Sequence, residues 1–297
     1  MKAILSFIIY LLIGVITNGQ QAKSYKTTDG ETLYYTTLGK GPKVILLYGG
    51  PGFSVGPMRP WADSLSNQFE CILFEQRGTG LSSNAKLDNT TINLKRAVQD
   101  IEDLRIHLGE KQLTLCGISW GGMLAQAYAA FYPEKTKHIV LISTLGPDLS
   151  LMSAFNDNMT MRRFPNERDS LNYWNKQPDS ELSKMKRDFF SFIPEFYNHN
   201  TGYKMLPQFF AATKFSEKMS DLMWKDLGQT YDLKSVLIKY NGQCTIIRPR
   251  QDPVPAESIY QIKELLPQTK IFFIERSGHF PDYEKPKELF KFLRQIL

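Results

Sequence analysis

Apolar and polar positions in this chain follow the period of β-strands in some segments and of helices in others. Residues 25–27 and 32–37 alternate between polar and apolar, a Gly-Lys-Gly-Pro turn follows at 39–42, and residues 44–47 are all apolar. This order predicts a hairpin that leads into a buried strand. Further apolar runs then alternate with helical patterns, which predicts an α/β fold with a mostly parallel central sheet and helices on both faces. The strands are predicted at 71–74, 113–116, 138–142, 243–247 and 270–274, and the helices at 94–108, 123–131, 256–265 and 285–297.

Residues 149–237 interrupt this alternation. The segment is rich in aromatic and charged residues at helical spacing and contains no strand-like apolar run. We therefore predict an inserted, mainly helical cap at 149–237, with the core formed by residues 20–148 and 238–297.

The N-terminus has the pattern of a secretory signal peptide. Met1 and Lys2 precede an almost wholly apolar run over residues 3–16, and a polar run begins at Thr17. Thr17 and Gly19 are small residues at the spacing required for cleavage before Gln20. We expect residues 1–19 to be removed, the protein to be exported to the periplasm or outside the cell, and no stable membrane span to remain. The alternative is an uncleaved N-terminal anchor, because the apolar run is long for a signal peptide.

Charge and cysteine content narrow the class of protein. The 297-residue chain has 36 basic and 30 acidic residues, a net charge of +6, and these charges are interspersed along it. Since nucleic-acid binding needs clustered basic residues, we expect no nucleic-acid partner. The three cysteines, Cys71, Cys116 and Cys244, each lie in or beside a predicted strand. This placement favours buried free thiols over a disulfide framework or a zinc site.

A Gly-Ile-Ser-Trp-Gly sequence lies at residues 117–121, with Ser119 at its centre. It follows the predicted strand at 113–116 and precedes the next helix, which is the setting of a nucleophile elbow. The serine of such a turn has a strained backbone, and bulky side chains two residues away would collide with neighbouring backbone. Gly117 and Gly121 meet that requirement. We therefore predict that Ser119 is a catalytic nucleophile.

A serine hydroxyl needs a base, and the base needs a carboxylate to orient it. Of the four histidines, only His279 lies just beyond a late predicted strand, where a loop at the carboxyl end of the sheet would bring it to Ser119. Asp252 follows the strand at 243–247 and gives the chain order serine, acid, histidine. The competing acids are Glu257, which lies in a helix, and Glu275, which is too close to His279 in sequence. The remaining histidines are His107, His138 and His199.

Two backbone N–H groups are needed to stabilise the oxyanion of an acyl-transfer reaction. By position they belong to Trp120, which follows the serine, and to Gly50, in the Gly-Gly-Pro-Gly loop at 49–52 after the first buried strand. A simple Gly-Pro turn would give the same local sequence. The location of the loop favours the functional interpretation.

Together these motifs resemble those of the proline iminopeptidases, a family of the α/β-hydrolase fold. The shared features are Gly-Gly-Pro-Gly at 49–52, Glu-Gln-Arg-Gly-Thr-Gly-Leu-Ser at 75–82, the elbow with Trp120 after the serine, Asp252 and Gly-His at 278–279. The resemblance implies an α/β-hydrolase fold and an aminopeptidase that releases N-terminal residues, with proline preferred, from small peptides. This chain departs from the family's usual sequence at Tyr48, where histidine is usual, and at Glu75, where aspartate is usual.

The resemblance also implies that acidic residues of the cap hold the free α-amino group of the substrate. Glu195 and Glu217 are the candidates in this chain. The reaction would need no metal ion and no organic cofactor. An esterase, lactonase or cofactor-free perhydrolase on the same triad is the main alternative, because fold and triad do not select amide over ester. A non-catalytic ligand receptor is a third possibility, whereas epoxide hydrolases and dehalogenases use a carboxylate in place of Ser119. The expected partners are therefore small peptides or other small molecules.

Overall fold

The computed structural model of the protein describes residues 22–297. Eight strands form one sheet. They are β1 (Lys23–Lys26), β2 (Thr32–Leu38), β3 (Lys43–Leu47), β4 (Glu70–Phe74), β5 (Leu113–Ile118), β6 (Thr136–Ile142), β7 (Gln243–Pro249) and β8 (Lys270–Ile274).

The strand order is β1-β2-β4-β3-β5-β6-β7-β8. β1 pairs antiparallel with β2, and β2 antiparallel with β4, whereas all the pairs from β4 to β8 are parallel. The mostly parallel sheet predicted from the sequence is therefore confirmed, as is the hairpin at its start. β5 lies between β3 and β6, so the residue that follows it emerges near the middle of the sheet.

Helices cover both faces of this sheet, as its apolar strands require. All six residues of β5 are buried, and so are four of the five residues of β3. Apolar side chains of α2 (Leu94–His107), α3 (Trp120–Phe131) and α10 (Glu257–Leu265) pack on one face. Those of α1 (Arg59–Leu65) and α12 (Pro286–Ile296) pack on the other face, next to the one-turn helix α11 (Pro281–Glu284).

Between β6 and β7 the chain forms a run of helices, which we call the cap. They are α4 (Met152–Arg162), α5 (Pro165–Asn175), α6 (Glu181–Phe192), α7 (His199–Ala212), α8 (Glu217–Thr230) and the one-turn α9 (Lys234–Leu237). A 3₁₀ turn at Ile193–Glu195 joins α6 to α7. The cap therefore begins after β6, the strand next to β5 and the elbow. The chain then re-enters the sheet as β7, which lies beside β6.

The elements differ from the sequence prediction in a few places. α3 begins at Trp120, three residues before the predicted start, because the turn that presents Ser119 leads directly into it. The seven-residue α1 was not predicted, because it is too short to show a clear helical period. The predicted signal peptide lies outside the described residues. Within residues 22–297, no helix combines the length and apolar character needed to cross a membrane.

The three cysteines are free and buried, as predicted. Burial raises the pKa of Cys71 and of Cys244 to about 12, and raises that of Cys116 as well. Thiols in this state are poor nucleophiles.

Candidate active site

Ser119 occupies the sharp turn between β5 and α3. Its φ and ψ are 56° and −126°, a backbone conformation that is strained for a residue with a side chain. Gly117 and Gly121 allow this turn. A Cβ on Gly117 would lie 2.2 Å from the Gly121 oxygen, and a Cβ on Gly121 would lie 2.1 Å from the Leu47 oxygen. The structure therefore supplies the steric reason for glycine at both positions.

His279 and Asp252 lie side by side in the loops that follow β8 and β7. His279 Nδ1 is 2.9 Å from Asp252 Oδ1, and the backbone N–H of Val254 donates to the same oxygen at 3.0 Å. Burial would raise the pKa of Asp252, but the nearby charges of His279 and Arg248 outweigh it and lower that pKa below its usual value. Burial would lower the pKa of His279, but the charges of Asp252 and Glu195 outweigh it and raise that pKa. The pair therefore favours a charged imidazole, as a base that must accept a proton requires.

A cavity of about 160 Å³, which we call the inner cavity, brings the predicted residues together. Ser119 and His279 both line it, and because Nδ1 of His279 faces Asp252, Nε2 is the ring nitrogen left for the serine proton. Most of the remaining wall is apolar. It includes Met123, Leu145, Met152, Phe155, Phe192, Phe209, Val254 and Phe280.

The two predicted oxyanion donors also border the inner cavity. Trp120 is the first residue of α3, so its backbone N–H has no acceptor within the helix. Gly50 has a φ of +125° and precedes a cis peptide bond to Pro51. The neighbouring Gly49 lies directly against the nucleophile, since a Cβ there would be 3.1 Å from Cβ and 3.6 Å from Oγ of Ser119. The glycine loop therefore reaches Ser119, and Gly50 as the second donor stays a prediction.

Gln76 joins the two segments that carry these donors. Its Oε1 accepts a hydrogen bond from the indole Nε1 of Trp120 at 2.8 Å, and its Nε2 donates to the carbonyl oxygen of Tyr48 at 3.1 Å. Gln76 is 5% exposed, so both bonds are shielded from water. The indole of Trp120 therefore fixes the elbow relative to the glycine loop. Tyr48 itself, a departure from the family's sequence, is buried and lines the inner cavity.

Glu195 is the cap acid that reaches the inner cavity. It ends the 3₁₀ turn between α6 and α7, and it lines the inner cavity together with His279. Its backbone oxygen accepts a hydrogen bond from the backbone N–H of His279 at 2.6 Å. Burial raises the pKa of Glu195 to about 7, against an opposing effect of the His279 charge. A cationic group beside this carboxylate would stabilise its ionised form.

Glu217, the second candidate, lies elsewhere. It begins α8, its side chain is 64% exposed, and it forms an ion pair with Lys184. Among the residues that the structure describes, Glu217 does not line the inner cavity. Its position gives no support to a role in binding the substrate's amino group. Charged residues in a helical cap commonly face water, and nothing in the local sequence distinguished Glu217 from Glu195.

Two polar residues that sequence reasoning missed hold Glu195 in place. Arg162, at the end of α4, donates to the carbonyl oxygens of Pro194 at 2.7 Å, Phe196 at 3.0 Å and Gln251 at 2.5 Å. Glu284, at the end of α11, accepts from the backbone N–H groups of Tyr197, Asn198 and Gly278 at 3.2, 2.8 and 2.6 Å. We call these two side chains the cap latch. Their partners are backbone groups, which leave no signal in the sequence.

The other three histidines have partners far from Ser119. His138 Nε2 lies 2.9 Å from Thr245 Oγ1, and burial lowers the pKa of His138 to about 4. His199 Nδ1 lies 2.8 Å from Glu167 Oε1 within the cap, and the ring of His107 stacks on Tyr25. None of the three lines the inner cavity of the described chain.

Comparison with known proteins identifies the family to which this fold belongs. The sequence profile of the alpha/beta hydrolase fold matches residues 42–286. The chain belongs to this family. It is 45% identical to the proline iminopeptidase of Xanthomonas citri over 120 residues, which is 39% of this chain and 36% of that protein. It is 25% identical to the proline iminopeptidase of Heyndrickxia coagulans over 266 residues, which is 84% of this chain and 88% of that protein.

Within the family, the chain is proline iminopeptidase-like. The matches to the first curated relatives span only 36% of their length. A solved esterase from Thermogutta terrifontis shares the fold, with a TM-score of 0.68 and 20% identity over 93% of this chain and 97% of that one. This α/β hydrolase therefore has relatives with peptidase names and a structural neighbour with an esterase name.

Proposed function

We propose that this α/β hydrolase is a serine aminopeptidase that releases the N-terminal residue, preferably proline, from small peptides. The observation that carries the proposal is the position of Glu195, a partly buried acid on the wall of the cavity that also contains Ser119 and His279. A free α-amino group is the cation that such an acid would bind in an aminopeptidase. The preference for proline rests on the relatives alone.

The reaction would begin with attack of Ser119 Oγ on the carbonyl carbon of the first residue. His279 Nε2 would take the serine proton, and Asp252 would hold the ring and stabilise its positive charge. The carbonyl oxygen would become an oxyanion at the backbone N–H groups of Trp120 and Gly50. His279 would then protonate the leaving nitrogen as the C–N bond breaks.

The second half of the reaction would reverse these roles. Water would give a proton to His279 and attack the acyl-enzyme, and His279 would return the proton to Ser119 Oγ as the acyl group leaves. The apolar wall of the inner cavity limits competing water and strengthens the charges inside it. Glu195 would keep the substrate's ammonium beside the reacting carbonyl throughout.

An esterase or lactonase on the same residues is the second candidate. The apolar character of the inner cavity favours it, since an uncharged acyl group would also fit there. The two candidates differ in one requirement. Only the aminopeptidase needs a free amino group on the substrate.

One substrate panel tests both. We expect prolyl β-naphthylamide to be hydrolysed, N-acetylprolyl β-naphthylamide to resist hydrolysis, and a fluorophosphonate probe to label Ser119. Ser119→Ala should lose both labelling and at least 1000-fold of the turnover (about 4 kcal/mol in the barrier). Equal rates on the free and acetylated substrates, or turnover restricted to short-chain nitrophenyl esters, would reject the aminopeptidase. Undiminished turnover by Ser119→Ala would reject both candidates.

We also propose that the protein is exported after cleavage before Gln20. The basis is the sequence of residues 1–21 alone. Mass spectrometry of the protein recovered outside the cytoplasm would give the mature N-terminus. An intact Met1 there would instead indicate an uncleaved anchor.

A further inference from the structure

A second cavity of about 470 Å³, which we call the outer cavity, adjoins the inner one. The two share wall residues Gly50, Phe53, Phe192 and Trp224. Gly50 belongs to the glycine loop at Ser119, so the outer cavity begins where the reacting carbonyl would lie. The space around the nucleophile therefore continues into the cap.

The walls of the outer cavity are mainly apolar and come mostly from the cap. Aromatic rings form a connected cluster there. Phe53 packs on Phe215 with ring centroids 4.6 Å apart, and Phe192 packs on Phe210 at 5.8 Å. Pro51 and Met185 add further apolar surface. A wall of this kind favours an apolar group from the substrate.

Charged residues on the outer cavity are Glu181, Lys184 and Asp188. The Lys184 ammonium is paired with Glu217 outside the wall, which leaves two acids without an equal positive charge among the wall residues. Burial raises the pKa of Asp188, and the charges of Lys184 and Arg187 oppose that rise; in its ionised form this carboxylate would repel a second negative charge nearby. The charge pattern therefore disfavours an acidic group in the outer cavity.

The different volumes of the two cavities indicate which part of a bound peptide each would hold. If Glu195 holds the N-terminal ammonium in the inner cavity, the acyl residue occupies a space of only about 160 Å³. The remainder of the peptide must leave that space, and the outer cavity is the one that shares its walls. This step rests on the proposed function.

We propose that the outer cavity binds the leaving group, which is the second residue of the substrate, and that it selects a large apolar side chain over a small or acidic one. The binding energy would come from burial of that side chain against Phe53, Phe210 and Phe215. The specificity would then be a property of kcat/KM, because the leaving group stays in place until the C–N bond breaks.

Three dipeptide amides with the same first residue test this. We expect Pro-Phe-NH₂ to exceed Pro-Gly-NH₂ in kcat/KM by about tenfold, with Pro-Glu-NH₂ below both. Met185→Trp should fill part of the outer cavity and lower the Phe-to-Gly ratio of kcat/KM by about tenfold. Met185 is 49% exposed and lines only the outer cavity, so the change avoids the catalytic residues.

Met161→Trp is the matched control. Met161 lies on α4, is 82% exposed and is absent from the lining of both cavities in the described chain. This variant should retain the native Phe-to-Gly ratio. A native ratio near one, or an unchanged ratio in a folded Met185→Trp variant, overturns the leaving-group site.

A separate pair of substrates distinguishes this failure from failure of the aminopeptidase. If no prolyl amide is cleaved, the proposed function is wrong, and 2-phenylethyl acetate is compared with methyl acetate. A preference for the aromatic ester that Met185→Trp abolishes would support the leaving-group site on an esterase. Equal sensitivity of both esters to the variant would overturn it.

Discussion

In the proposed function, Glu195 couples substrate binding to the protonation state of His279. Its charge raises the pKa of His279, and the charge of His279 in turn opposes the effect of burial on Glu195. The protonation state of each group therefore influences the pKa of the other. His279 must be neutral to accept the serine proton, whereas Glu195 must be ionised to hold an ammonium. Both conditions are lost as the pH falls.

We expect Glu195→Gln to affect the two substrate classes differently. For prolyl β-naphthylamide, KM should rise at least tenfold, because an amide offers the ammonium no opposite charge. For a nitrophenyl ester, the acid limb of the kcat/KM profile should move to lower pH. The sign follows from His279, whose raised pKa falls when the neighbouring negative charge is removed, so that the neutral base persists at lower pH. Steady-state kinetics from pH 5 to 9 would measure both effects.

Glu217→Gln is the control for this experiment, since it removes an acid from the same cap at an exposed position. It should leave KM and the acid limb unchanged. If Glu195→Gln and Glu217→Gln behave alike, Glu195 has no part in binding the amino group. The sequence alone could not distinguish these two acids, because both lie in the cap. Only the folded chain shows that one lines a cavity and the other faces solvent.

The cap latch joins the cap to the core of the protein. It ties the segment at residues 194–198 to the loops that carry Asp252 and His279. Gly278 makes this approach possible, because a Cβ there would lie 2.1 Å from the Glu195 oxygen and 2.6 Å from the Tyr197 nitrogen. Cap and core therefore meet backbone to backbone beside His279. Any movement of the cap at this seam would change the position of Glu195 and of His279 together.

We expect Glu284→Ala to loosen this seam without unfolding the core. It leaves three backbone N–H groups without their carboxylate, and the loss at the buried Gly278 should cost about 1–3 kcal/mol. Amide hydrogen exchange should accelerate at residues 197, 198 and 278, and kcat/KM should fall. Glu275→Ala, which removes an exposed acid of the loop that carries His279, should change neither. Unaltered exchange at those amides in Glu284→Ala would contradict the latch.

The sequence predicted the elements better than the seams between them. Hydrophobic period located the parallel strands and the longer helices, because each buries a face of regular spacing. The glycine and serine pattern located the elbow, because sterics allow few residues there. Arg162 and Glu284 could not be found in this way. Glu284 meets the backbone of Asn198 across 86 residues, and a backbone acceptor or donor is present at almost every position.

The central sheet buries all three cysteine thiols of the protein. Its three thiols lie in different strands, Cys71 in β4, Cys116 in β5 and Cys244 in β7, and each is at most 2% exposed. The strands of the core form one hydrogen-bonded sheet, whereas the cap is a run of helices inserted between β6 and β7. Loosening the cap therefore need not expose a thiol. Only unfolding of the sheet should do so.

We expect the native protein to show no thiol that reacts with a disulfide reagent on the time scale of minutes, and three after denaturation in guanidinium chloride. Burial favours the protonated thiols, and the reagent needs thiolates. Glu284→Ala should share this protection, since its effect is confined to the cap seam, whereas a substitution that destabilises the sheet should speed labelling of all three thiols together. Rapid labelling of all three thiols in Glu284→Ala would mean that the cap and the sheet unfold as one unit. If the protein is exported as proposed, the same assay on the secreted form should still find three thiols, because separate buried strands keep them from oxidising.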